Sequence, residues 1–319
     1  MLATHPDTAS RFVEIARQIA LPPLSRCCEA MLATYLRPLS VSAWPDIAWQ
    51  SSRLTRDGCP VEFAFCGNDS GLRMTIEPAR PEAADGTKLG CALRILEAMG
   101  QPRPDHDLSE QWERAQAGQR LRWGTWLGLR QTASGLQTKL YVEMPSPGAP
   151  SPAPGRLHMI GYEPETERSE FYYSLAGLNV LELSYLLARY GVADPASALE
   201  QLAELIGLPA ASALHWLRLG MSIAKDRSGE TTGITLFFRA SAAYEGQARI
   251  RDALLRQQSA NGIGDSTYRA LFAEISALPD HGVVALNLSP NGSVSIGVGI
   301  SGTALLSRWN AFGESAQAA

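Results

Sequence analysis

The chain carries two hydrophobic rhythms. Near the N-terminus, apolar residues recur at helical spacing: Phe12, Ile15, Ala16 and Ile19 up to Pro22-Pro23, then Leu24, Cys28, Met31, Leu32 and Tyr35. From Cys59 the rhythm changes to period two. In "PVEFAF" the residues Val61, Phe63 and Phe65 oppose Glu62, Ala64 and Cys66; in "LRMTIEP" Leu72, Met74 and Ile76 oppose Arg73, Thr75 and Glu77. A polar turn, Gly67 to Gly71, joins these runs into a hairpin. The run "GTKLGCALRILEAMG" follows as a helix, with Gly100 placed to cap its end.

This strand-strand-helix unit recurs. "RWGTWLGLRQTASGLQTKLYVEM", "RLHMIGYEPETERSEFYYSL", "HWLRLGMSIAKDRSGETTGITLFFRA" and "VVALNLSPNGSVSIGVGIS" each read as a hairpin with a Gly, Asn, Ser or Asp turn. "LNVLELSYLLARYG", "PASALEQLAELIG", "YEGQARIRDALLRQQ" and "STYRALFAEISAL" read as helices between them, which makes an internal repeat. The second unit has "PSPGAPSPAPG" in place of its helix. Because hairpins of the same style resume at once, residues 145–155 are expected to be a Pro/Gly-rich surface loop of a single domain over residues 1–319, with N-terminal helices at 1–45 and the repeated units at 50–300.

Each strand thus has one apolar face for a helix to cover. The opposite faces hold Glu62, Arg73, Glu77, Trp126, Gly128, Arg130, Lys139, Tyr141, Glu143, Glu170, Tyr172, Trp216, Arg218, Gly220, Thr235, Phe237 and Arg239, then Asn287, Ser295 and Gly297. An open sheet would turn that face to water, where lysine, glutamate and threonine should dominate. A closed barrel removes the edges and turns the face into a lumen. The expected fold is therefore α+β, a ten-stranded antiparallel barrel of repeated αββα units with helices outside.

Bulk properties narrow the function. Net charge is −4 and charged residues are 19%, so no basic surface for nucleic acid is implied. No apolar run reaches the roughly 18 residues of a membrane span, and "MLATHPDTASRF" has no signal-peptide pattern. The five cysteines form no C-x-x-C pair and the five histidines no ligand spacing, so no metal site is expected and a reduced cytoplasmic setting is.

The ordered set "PVEFAF", "LRMTIEP", "LGLR…KLYV" and "SEFYYSL" on successive hairpins resembles the ABBA-fold (PT-barrel) aromatic prenyltransferases. It is most similar to the dimethylallyltryptophan synthase-like and cyanobactin peptide prenyltransferase branch. The resemblance spans about residues 50–300. It implies transfer of a dimethylallyl or geranyl group from its diphosphate to a nucleophilic side chain, tryptophan or another nitrogen nucleophile, in a peptide; a small aromatic acceptor is the other partner considered. Arg73, Lys139, Tyr141, Tyr172, Arg218 and Arg239 would hold the diphosphate, since the leaving group needs fixed positive charge. Trp126, Arg130, Glu170, Trp216 and Phe237 would line the prenyl and acceptor space, where aromatic faces shield an allylic cation. Glu62 matches the acceptor-binding carboxylate and is the catalytic candidate. With no Asp-Asp pair, the chain lacks an aspartate-rich magnesium motif, and Mg2+ accompanying the diphosphate is left open. Where larger members carry Arg-x-Lys-x-Tyr, this chain reads Arg168-Ser169-Glu170-Phe171-Tyr172, and its aromatic cage is thinner. Hence the alternative of a catalytically silent barrel that binds a hydrophobic ligand or peptide. A monomer is expected in either case.

Overall fold

The computed structural model describes residues 52–59, 61–66, 73–79, 83–132, 135–145, 155–175, 177–260, 268 and 280–301. The expected N-terminal helices (1–45), residues 146–154 of the Pro/Gly-rich loop and nearly all of "STYRALFAEISAL" lie outside them. The described elements run in chain order β1 (Val61–Cys66), β2 (Arg73–Ile76), α1 (Lys88–Ala98), α2 (His106–Gln116), β3 (Thr125–Thr132), β4 (Gly135–Glu143), β5 (Arg156–Glu163), β6 (Arg168–Ser174), α3 (Val180–Arg189), α4 (Pro195–Ile206), α5 (Ala210–Trp216), β7 (Gly220–Lys225), β8 (Thr231–Arg239), α6 (Ala240–Ala243), α7 (Gln247–Ala260), β9 (His281–Leu288) and β10 (Val294–Ser301).

Every strand pairs antiparallel with its sequence neighbours, and β1 also pairs with β10. The pairs Glu62↔Ser301, Ala64↔Gly299 and Cys66↔Gly297 close the ten strands into a barrel and exclude an open sheet. Closure follows from the two faces. Val61, Phe63, Met74, Ile76, Leu127, Leu140, Val142, Leu236, Phe238, Val284 and Leu286 point outward and are buried against the helices. Removing that surface from water contributes about 25 cal/mol per Å², and a ring of strands leaves no edge groups unpaired.

The helices owe their limits to local chemistry. In α1, Leu89, Ala92, Leu93 and Leu96 make one buried stripe. Its end is fixed by Gly100 at φ 66°, where the Gly100 N–H bonds to Glu97 O and the Gln101 N–H to Leu96 O. Asn179 and Glu182 form a capping box on α3, and Asp194 caps α4 before Pro195. Two features depart from the sequence reading. Helix α2 buries only Trp112 and Gln116 and shows almost no apolar stripe; its start is set by Asp105, which accepts from the Leu108 N–H. The seventh strand begins at Gly220, because α5 runs on to Trp216 and packs Ala213 inward.

Candidate active site in the barrel lumen

The registers place one layer of inward side chains around the barrel. Glu62 lies opposite Thr75, and Thr75 opposite Gly128. Gly128 faces Lys139, and Tyr141 faces both Trp126 and Gly161. Gly161 faces Glu170, Tyr172 faces Ser222, and Gly220 faces Phe237. Thus Glu62, Arg73, Trp126, Arg130, Lys139, Tyr141, Glu170, Tyr172 and Phe237 share the inner face, as their alternation in the sequence implied.

Lys139 is the hub of one wall. Its ammonium bonds to the Glu170 carboxylate and lies 3.4 Å from Glu163, which also holds Arg168 at 2.7 Å. Glu170 is buried and accepts a second bond from the Ser222 hydroxyl. Burial opposes its charge, yet Lys139 and Arg168 with the bonds from Lys139 and Ser222 prevail and pull it down to about 2. Burial likewise opposes the Lys139 ammonium, but Glu170, then Tyr141 and Glu163, carry its pKa above the usual lysine range. Lys139 Nζ lies 5.4 Å from the Tyr141 ring centroid and 5.9 Å from that of Tyr172. Tyr141 and Tyr172 meet edge to face at 6.0 Å, and Tyr172 meets Phe237 at 5.9 Å. These faces receive positive charge at about 2 kcal/mol each when desolvated. Burial raises the Tyr141 phenol, against the lowering effects of Lys139 and Arg73. Burial, reinforced by Glu170 and Tyr141, holds the Tyr172 phenol well above the usual range.

Glycines on the inner face make room for this wall. A Cβ at Gly128 would lie 2.8 Å from the Tyr141 ring; one at Gly161 would lie 2.6 Å from Lys139 Cε and 3.2 Å from the Tyr172 ring. A Cβ at Gly220 would fall inside van der Waals contact of Phe237. Trp126, near the start of β3, stacks on Trp123 at 4.2 Å.

Glu62 stands apart. No hydrogen bond or ion pair links it to another side chain among the described residues, and burial alone raises its carboxyl from 4.5 to about 7. It borders Gly282 and Gly299, the β9 and β10 residues beside it.

Five expectations need correction. Arg218 and Arg239 are exposed, at the barrel end where β7 starts and β8 stops. Trp216 is 48% exposed at the end of α5, not on a strand. Glu77 lies beyond β2, where alternation no longer applies; it holds Lys88 at 2.5 Å and accepts from the Ser52 hydroxyl. Glu143, at the end of β4, accepts the backbone N–H groups of Arg122, Trp123 and Gly124 and is spent on that loop. The sequence reading also missed Glu163, Arg168 and Ser222 as members of the charged wall. Ser222 could have been found by continuing the alternation from Gly220.

Among the described residues no group of three or more His, Cys, Asp or Glu side chains could hold a metal ion. No described helix is long and apolar enough to cross a membrane.

No protein-family model matches the chain, and no curated protein matches it significantly. Solved structures match its fold over nearly its full length. A 5-dimethylallyl tryptophan synthase from Streptomyces coelicolor, in complex with DMASPP and Trp, superposes with a TM-score of 0.75 at 14% identity, covering 93% of this chain and 94% of that one. The prenyltransferase PriB in a binary complex with product diphosphate gives 0.73 at 17%, covering 94% and 97%. A 6-dimethylallyltryptophan synthase from Micromonospora olivasterospora, with DMASPP and Trp, gives 0.70 at 17%, covering 93% and 96%. The architecture is that of the ABBA-fold prenyltransferase barrel.

Proposed function

We propose that the lumen transfers an allylic prenyl group, dimethylallyl or geranyl, from its diphosphate to the nitrogen of a nucleophilic side chain, tryptophan foremost, presented in a peptide. The observation that carries this is the division of one lumen into an aromatic wall that holds Arg73 and Lys139 and a separate protonatable carboxylate. Arg73 and Lys139 offer charge to the diphosphate, with Arg168 behind them. The allylic C–O bond breaks heterolytically, and its electron pair leaves with the diphosphate. The faces of Tyr141, Tyr172 and Phe237 receive the carbocation and keep water from it. The acceptor nitrogen supplies the electron pair of the new C–N bond, and its proton passes to Glu62. A carboxyl near 7 is suited to that task at neutral pH; Glu170, near 2, is not.

The fold neighbours that hold DMASPP with Trp, or product diphosphate, support the same substrate classes. A chain-held magnesium ion fits poorly. Glu163 and Glu170, the carboxylates of the charged wall, are both engaged by Lys139, and Glu163 also by Arg168. Glu62 sits near the end of the barrel where Arg218, Arg239 and Trp216 are exposed, and that rim suits a peptide chain crossing the mouth. One observation favours the silent, ligand-binding alternative: Lys139 is already neutralised by carboxylates. Incubation with dimethylallyl or geranyl diphosphate and tryptophan-containing cyclic peptides, free tryptophan or phenols decides between them by mass. The peptide should gain one prenyl group, faster than free tryptophan. No mass gain with any acceptor would leave the binding barrel as the function.

A further inference from the structure

A β-bulge lies beside Glu62. Val298 pairs with Val284 and Ile300 with His281, so the single residue Gly299 of β10 faces two residues of β9, Gly282 and Val283. Bulges of this kind re-aim a strand next to a site. Here the bulge brings two glycines against one carboxylate. A Cβ at Gly282 would lie 2.5 Å from Glu62 Oε1; a Cβ at Gly299 would lie 2.5 Å from Oε1, 2.7 Å from Cδ and 3.2 Å from Oε2. Neither glycine is required by backbone conformation, since neither has a positive φ. Their missing side chains are explained by the space that the Glu62 carboxylate takes.

We propose that Gly282 and Gly299 are positioning residues, a cradle without side chains that fixes the Glu62 carboxylate against the β9–β10 bulge in the orientation used on the acceptor. The proposal rests on the prenyl-transfer reading for its kinetic consequence, but the cradle itself is a matter of geometry. Rotating the carboxylate does not relieve a methyl at Gly299, because Cδ and both oxygens lie inside the contact distance. The whole side chain must leave. A methyl at Gly282 displaces Oε1 and leaves Cδ at 3.8 Å, so it acts in the same direction and less strongly. In each case every atom met below 3.0 Å belongs to the flexible end of Glu62 and none to backbone. The alanine variants therefore keep the barrel and lose the placement.

The experiment uses Gly282→Ala, Gly299→Ala, Glu62→Asp and the two double variants, each checked for an unchanged circular dichroism melt. In wild type and variants, 13C-carboxyl-labelled glutamate is titrated by NMR, with the Glu62 signal identified by its loss in Glu62→Gln. The Glu62 midpoint near 7 should fall toward the ordinary carboxylate range in Gly299→Ala as the displaced group meets more polar surroundings. Kinetically, kcat/KM for the acceptor should drop on the order of 100-fold, the scale of a 1 Å misplacement, with the diphosphate KM unchanged. Aspartate is shorter by one methylene and vacates the space. Gly299→Ala should therefore change the Glu62→Asp enzyme by less than about two-fold, a coupling expected only of side chains in contact. Unchanged titration midpoints in both alanine variants, or equal losses whether Gly299→Ala is made in the wild-type or in the Glu62→Asp background, would overturn the cradle. If the wild-type protein transfers no prenyl group, the transfer reading falls, and the NMR titration still decides the cradle.

Discussion

Replacing Glu170 by glutamine tests the charged wall most sharply. The carboxyl is depressed from 4.5 to about 2 in the folded protein. At about 1.4 kcal/mol per pKa unit this corresponds to roughly 3–4 kcal/mol of stability. A depressed carboxyl contributes its full amount above the unfolded value and loses it as pH falls through the folded one. The contribution is therefore intact at pH 7 and disappears between about 4.5 and about 2. Removing one partner of a buried pair costs up to about 3–5 kcal/mol because the other charge is stranded. Lys139 still has Glu163 at 3.4 Å, which argues for the lower end. At roughly 2 °C per kcal/mol for a chain of this size, Glu170→Gln should melt about 6 °C below wild type at pH 7, with the gap narrowing below about 4.5 and closing near about 2. The same change frees the Lys139 ammonium for an anionic ligand, so inorganic pyrophosphate should bind more tightly by calorimetry. Equal melting temperatures at pH 7 together with unchanged pyrophosphate affinity would refute the reading that Glu170 neutralises Lys139 in the folded lumen.

Further outcomes follow from the same geometry. Glu62→Gln should fold normally, slow transfer by about 100-fold or more, and abolish the rise of kcat/KM with pH that deprotonation near 7 produces in wild type; a retained pH limb in stopped-flow or steady-state profiles would assign that limb to another group. Arg73→Ala and Lys139→Ala should each weaken pyrophosphate binding by about 1.5–3 kcal/mol, read by calorimetry, since both lie on the inner face and outside the apolar core. Gly161→Ala should push Lys139 and Tyr172 off their positions and raise the donor KM more than the acceptor KM; equal effects on both would mean that this wall does not serve the donor. Glu143→Gln should lower the melting temperature, because the charge that accepts three backbone N–H groups is lost, while leaving pyrophosphate affinity at the wild-type value.

The barrel was legible because its alternation is strict where both faces matter. Val61, Phe63 and Phe65 against Glu62, Ala64 and Cys66 could be read without a structure, and the observed burial follows the same parity from Val61 to Phe65, with Cys66 buried as well. Legibility failed where parity is interrupted or absent. A bulge between Leu157 and Met159 shifts β5, which blurred its pattern. Helix α2 has almost no apolar stripe, so its only local signal was the Asp105 cap. Trp216 and Arg218 were given to a strand because "HWLRL" alternates, yet Trp216 continues the helical spacing of Ala213 and closes α5, while Arg218 lies in the link between α5 and β7. In the site, parity identified which side chains face inward, but pairing could not be deduced from it. Glu143 and Glu77 have the charge and type of lumen residues and are consumed by backbone N–H groups and by Lys88; that is decided by strand ends, which no periodicity marks.

Of the carboxylates expected in the lumen from the sequence, Glu62 and Glu170 remain there, and they are driven in opposite directions by one physical quantity, the charge nearby. Both suffer the desolvation that raises a carboxyl. Glu170 has Lys139, Arg168 and the Ser222 hydroxyl to offset it and stays an anion at every pH the folded protein meets above about 2. Glu62 has bare glycine backbone at its carboxylate and moves to about 7. A permanent anion can hold a lysine in place but cannot exchange protons usefully at neutral pH, whereas a carboxyl near 7 can take a proton and release it again. Glutamate at position 170 therefore does not compete with Glu62 for the proton of the proposed acceptor. On the proposed reading it acts on the donor side, where it would reduce the positive charge that a diphosphate meets. A chain arranged this way should be limited by donor binding rather than by deprotonation, so saturating diphosphate, and not higher pH, should bring its turnover closest to the maximum.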